Sequence, residues 1–139
     1  MRGMNIRNLL SIIPAVLLFS SGVTYGIELS KAYTECINAK ATNMEWGACS
    51  KREIDRQEKV LEDVWKNAYD AMNKLSPQGA HVLLDEQRAW IKFKDVACLF
   101  YSSGDFGREG QALKFGICKA MIIAQRVETL KALMSEVQE

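Results

Sequence analysis

Four cysteines, Cys36, Cys49, Cys98 and Cys118, stand behind a stretch that reads as an export leader, and together these two features restrict the fold more than any others in the chain of 139 residues. Arg2 and Arg7 give the leader a positive start, and Leu9 to Phe19 is apolar apart from Ser11 and Pro14. Ser20 to Gly26 follows, a run of small residues around Tyr25. Cleavage after Gly26 puts Thr24 and Gly26 at the two positions a signal peptidase reads. A membrane span needs ~20 apolar residues, and this core is about half as long. No cysteine follows it directly, so a lipoprotein anchor is not expected. The expectation is a cleaved signal over residues 1–26 and a single mature domain over 27–139, periplasmic or secreted, with no stable membrane insertion after cleavage.

In such a compartment an even set of cysteines reads as disulfides. A zinc site is the weaker reading, since no CxxC pair exists and His81, the single histidine, is far from every cysteine. A thioredoxin-like dithiol fails for the same missing CxxC. No metal and no cofactor is implied. Four cysteines allow three pairings.

Charge narrows the partners. The whole chain carries 18 basic and 17 acidic residues, net +1, and removal of the leader with its two arginines leaves a domain at net −1. No basic excess is present to neutralise phosphates, so nucleic acid is not an expected partner. Hydrophobic residues at 48% and charged residues at 25% describe an ordinary folded domain.

The mature part reads as helices separated by short breaks. A first helix is expected from Ser30 to about Lys40. Thr42-Asn43-Met44-Glu45 then forms a capping box. A second box, Ser50-Lys51-Arg52-Glu53, implies either another helix start or a kink at Gly47. Ile54, Leu61, Trp65, Ala68, Met72 and Leu75 recur at helical spacing as one apolar stripe. Ser76-Pro77 ends it, because a residue before proline leaves the α region and proline suits the first position of a helix. A third helix is expected from Pro77 to about Tyr101, with Leu83, Trp90, Ile91, Ala97 and Cys98 inward. Ser102 to Gly110 breaks it with three glycines. A fourth carries Leu113, Ile117, Ala120, Ala124, Val127, Met134 and Val137. The fold class is all-α: a small antiparallel bundle of about four helices stapled by two disulfides. In that bundle locality favours Cys36 with Cys49 and Cys98 with Cys118, each pair at nearly matching heights across a helical hairpin, as a Cα separation of ~5.5–6 Å requires.

Met44 to Cys49, then Gln87-Arg88-Ala89-Trp90-Ile91-Lys92-Phe93-Lys94-Asp95, then Cys98, Cys118 and Arg126-x-x-x-Leu130 resemble the LprI-like lysozyme-inhibitor family. Its members are small exported proteins with a Met-x-x-x-x-Cys opening, a Gln-Arg-Ala-Trp-Ile-x-Phe-Arg-Asp core and a late Cys-x-x-x-x-x-x-x-Arg segment. Here Lys94 replaces the usual arginine. The resemblance implies an exported helical binding protein without enzymatic activity, whose protein partner is a lysozyme held off by occlusion of its cleft. The alternative is a periplasmic interaction or stress domain with no effect on lysozyme.

The central motif has a structural reading. Trp90 is expected to anchor the core, and Gln87 and Phe93 lie three residues to either side of it. Arg88 and Asp95 are too far apart along the helix to pair, so Arg88 is expected to meet Asp55 or Glu58 on the neighbouring helix. Asp55 and Asp95 do not stand out as a catalytic pair, since a helical chain with 17 acids offers many. His81 reads as an exposed residue early in a helix. The glycines of the 102–110 break follow no strand, so they form no phosphate loop. That break is instead the expected partner-binding element. Asp105, Phe106 and Arg108 sit in it, with Phe106 as an apolar anchor and Arg108 offering planar donors to an acidic cleft. The competing reading is a plain connection whose Phe106 folds back on the bundle.

Overall fold

The computed structural model describes residue 27 and residues 29–137, so the leader expected over 1–26 lies outside the described residues. Four main helices follow one another: α1 (Lys31–Asn38), α2 (Asn43–Leu75), α3 (Pro77–Val96) and α4 (Phe115–Val137). Among the described residues there is no strand, and no helix is long and apolar enough to cross a membrane.

Local chemistry sets the helix starts. The Ser30 hydroxyl accepts from Tyr33 N–H at 3.1 Å and caps α1. Thr42 and Glu45 form the expected capping box at the head of α2. Ser76 caps α3 through Gly79 N–H at 3.0 Å, with Pro77 in the first turn. The second box is not a cap. α2 runs unbroken through Gly47 and Ser50, and Ser50 and Glu53 are buried inside it. Glu53 faces α1 instead: it accepts from Ser30 N–H at 3.0 Å and from the Ser30 hydroxyl at 2.5 Å.

Consecutive helices run antiparallel. α2 packs on every other main helix, and its most extensive contact is with α4. Those two run parallel, because Gly116 lies against Ser50 at one end while Met134 and Val137 share a cleft with Asn67 and Leu75 at the other. The core is Leu61, Ala68, Leu83, Ile123, Val127 and Leu130, with Ile54, Trp65, Met72 and Trp90 packed around it. Ile123 and Leu130, absent from the expected stripe, are among the most buried side chains. Two residues expected inward are outside: Leu75, at the end of α2, is 64% exposed and Ile91 is 43% exposed. Both line clefts that stay open, Leu75 beside Met134 and Val137 and Ile91 beside Leu61 and Trp65, so spacing alone does not bury them.

Both bridges follow locality. Cys36 joins Cys49 with a Cα separation of 5.9 Å, and Cys98 joins Cys118 at 6.0 Å. The first ties α1 to α2, and the second ties the end of α3 to the first turn of α4.

Candidate functional site

The segment between α3 and α4 begins where the α-helix tightens. Leu99–Ser102 and Gly104–Phe106 form short 3-10 turns, Gly107–Glu109 makes one helical turn, and Gly110–Lys114 is a π-helical turn leading into α4. The Cys98–Cys118 bridge spans the base of this whole excursion.

Phe106 does not fold back on the bundle. It packs within the segment, edge-on to Tyr101 with ring centroids 5.2 Å apart and edge-on to Phe100 at 5.8 Å. Phe106 as a whole remains 42% exposed. Gly110 passes directly beneath it, where a Cβ would overlap the Phe106 Cβ. Gly107 has φ +61°, a conformation that side chains bearing a Cβ rarely adopt. These two glycines let the chain reverse tightly around the aromatic trio. Asp105 accepts from the Ser103 hydroxyl at 3.5 Å, and Arg108 is exposed one residue beyond the reversal. The arrangement therefore presents an exposed aromatic edge and a guanidinium within three residues, on a segment braced by rings and closed by a bridge. Bracing of this kind lowers the entropy lost when a partner is bound. Composition points to the glycines and to Phe106 but not to Phe100 and Tyr101, which spacing alone places in the last turn of the preceding helix.

The Gln87–Asp95 motif is split by the structure into an inner and an outer half. Gln87 is buried and its Oε1 accepts from Arg126 Nε at 2.9 Å. Arg126 is only 6% exposed. Its Nη1 donates to Glu86 at 2.6 Å, and its guanidinium carbon lies 5.9 Å from the Trp90 ring centroid, the geometry of a cation–π contact. Among the described residues the buried Arg126 Nη2 has no acceptor. Arg126 thus ties α4 to α3, as Lys119 does nearer the connecting segment through its bond to the Lys94 carbonyl.

Trp90 is half-buried at the edge of the core and lines clefts on both sides of itself, so it is a lid on the core and not its centre. Phe93 is 54% exposed. Arg88 does not reach Asp55 or Glu58. It pairs with Asp85 at 3.1 Å on its own helix, on the solvent side. Asp55 meets Lys51 at 2.7 Å and Glu58 meets Lys94 at 2.9 Å. Lys94, the departure from the motif, so carries the charge contact to α2 that was expected of Arg88. Asp95 is exposed, 3.9 Å from Lys94. A Trp90→Ala substitution should cost about 2–3 kcal/mol, less than the roughly 3–5 of a fully buried tryptophan. A urea midpoint unchanged from the parent would show that the ring supports neither the core nor Arg126.

Among the described residues no group of three or more histidine, cysteine or carboxylate side chains is placed to hold a metal ion. A family model described as Lysozyme inhibitor LprI matches residues 36–130. No curated protein and no solved structure matches the chain.

Proposed function

The chain belongs to the LprI lysozyme-inhibitor family, and from that premise we propose that it is an exported inhibitor which blocks a lysozyme by seating the 102–110 segment in the enzyme's cleft. A muramidase cleft is built around two carboxylates and accepts an extended sugar chain. A projecting aromatic with a neighbouring guanidinium is complementary to such a cleft, since Arg108 offers donors to carboxylates and Phe106 offers a flat apolar face. The observation that carries the reading is the exposed Phe106, held edge-on by Tyr101 and Phe100 above a segment clamped by Cys98–Cys118. Two disulfides and family membership support an extracellular or periplasmic place of action.

The test is a cell-wall turbidity assay with purified protein added to lysozyme. Replacing Phe106 and Arg108 together by alanine should raise the half-inhibiting concentration by at least about tenfold, the equivalent of about 1.4 kcal/mol, with helicity and melting unchanged. A folded double variant that inhibits fully would exclude this segment as the binding element. A parent protein with no effect on any lysozyme type would exclude the activity itself.

A further inference from the structure

We propose that Cys36–Cys49 is a thiol–disulfide exchange site open to an external dithiol, whereas Cys98–Cys118 is a lasting clamp. The difference lies in the side chain beside each bridge. Arg52, one turn beyond Cys49 on α2, places Nη2 2.7 Å from Cys36 Sγ and 3.6 Å from Cys49 Sγ. The acids near this end of the molecule are engaged elsewhere. Glu35 pairs with Lys31 at 3.6 Å, Glu45 with Lys40 at 3.5 Å, and Glu53 with Arg56 at 2.7 Å. Among the described residues no carboxylate pairs with Arg52, so its charge is directed at the two sulfurs. No side-chain donor reaches Cys98 or Cys118 among the described residues; that bridge too pairs a buried sulfur, Cys98, with a half-buried one, Cys118, so Arg52 is what sets the two bridges apart.

A cation beside a sulfur favours its thiolate, and a sulfur that leaves as a stabilised thiolate leaves faster. Cys36 is the accessible partner, half-buried on the short helix α1, while Cys49 is buried. The thiolate of an incoming dithiol attacks Cys36 Sγ. The Cys36–Cys49 bond breaks, a mixed disulfide forms on Cys36, and Cys49 departs as a thiolate next to Arg52. The second sulfur of the dithiol, as its thiolate, then attacks the first and releases Cys36 as a thiolate, which Arg52 also faces. Two electrons pass to the protein, the dithiol ends as a disulfide, and the two protons lost by the dithiol balance the two cysteines. Opening removes one of three ties on α1; the Ser30–Glu53 hydrogen bonds and buried Tyr33 remain and keep the two sulfurs close enough to close again. The clamp under the 102–110 segment is untouched by this chemistry.

The experiment is timed reduction of the folded, fully oxidised protein with dithiothreitol at neutral pH, quenched by alkylation and read bridge by bridge through peptide mass. Cys36–Cys49 should open at least about tenfold faster than Cys98–Cys118. Arg52→Gln should slow its opening about threefold, because the departing thiolate loses the cation that stabilises it and leaves more slowly, and should leave the other bridge unchanged. Arg52→Lys, which keeps the charge, should recover part of the rate. Simultaneous opening of the two bridges overturns the proposal, and so does an Arg52→Gln protein whose first bridge opens at the parent rate.

Discussion

Replacing Gly116 by valine should destabilise the domain by about 3 kcal/mol or more, lowering the melting temperature by roughly 12 °C or more. Gly116 is in the first turn of α4 at its crossing with α2, and a Cβ there would overlap both the Cβ and the Oγ of Ser50. Ser50 cannot swing aside, because it is buried within α2 immediately after the bridged Cys49. The helices must separate, and separation loosens the Leu61, Ile123 and Val127 core further along the same interface. Helix propensity acts the other way, since glycine inside a helix costs about 0.5–1 kcal/mol relative to alanine. Gly47 isolates that opposing effect. It lies on α2 with nothing within 4 Å of its would-be Cβ, so Gly47→Ala should raise stability by about 0.5–1 kcal/mol. Thermal melts of the parent and the two variants give the comparison. A Gly116→Val protein that melts with the parent would show that α2 and α4 do not approach this closely.

Periodicity located α2, α3 and α4 because each carries apolar residues at threes and fours, and the punctuation at Thr42 and Ser76-Pro77 is enforced by capping and by proline sterics whatever the tertiary context. Locality found the disulfides because a hairpin brings matched heights together. What spacing does not encode is which neighbour a face meets. Ile91 and Leu75 have core-like spacing but line open clefts, while Ile123 buries fully inside the cluster with Leu61, Ala68 and Leu83. The interhelical role expected of Arg88 belongs to Lys94, six residues on, since the helix rotation that buries Gln87 turns Arg88 outward. Arg126 carries a buried charge; the sequence marks it only as the end of the Cys118-to-Arg126 family segment, and the three partners brought by α3, Glu86, Gln87 and Trp90, make its burial tolerable. For the 102–110 segment, glycine content shows that the helix breaks, but Phe100 and Tyr101 can brace Phe106 because α3 ends at Val96, earlier than spacing implies.

Glu53→Ala should cost about 3–5 kcal/mol, the range for breaking a buried charged network by removing one member. The carboxylate is 3% exposed and collects five hydrogen bonds. Ser30 gives two, Arg56 donates through Nε at 3.0 Å and Nη2 at 2.7 Å, and Gln57 donates at 3.0 Å. Burial by itself pushes the carboxyl group up, but the bonds from Arg56, Ser30 and Gln57 outweigh it and hold it at about 2, down from 4.5. The sign of the linkage follows. Below pH 4.5 the unfolded chain takes up a proton that the native carboxylate refuses, so stability is present in full above that pH and is lost as the pH falls toward about 2. A gap of this size corresponds to roughly 3 kcal/mol. Glu53→Gln keeps the shape and removes the charge, so it separates the two contributions. It should weaken the protein at pH 7 by about 2 kcal/mol, through the lost charge-assisted bonds, and its stability should fall less steeply than the parent's between pH 4.5 and 2. Urea unfolding of both proteins across that range measures the difference directly. Parallel acid limbs would mean that Glu53 titrates alike in the folded and unfolded chains, and the tie from α2 to the cap of α1 would then be an ordinary neutral contact.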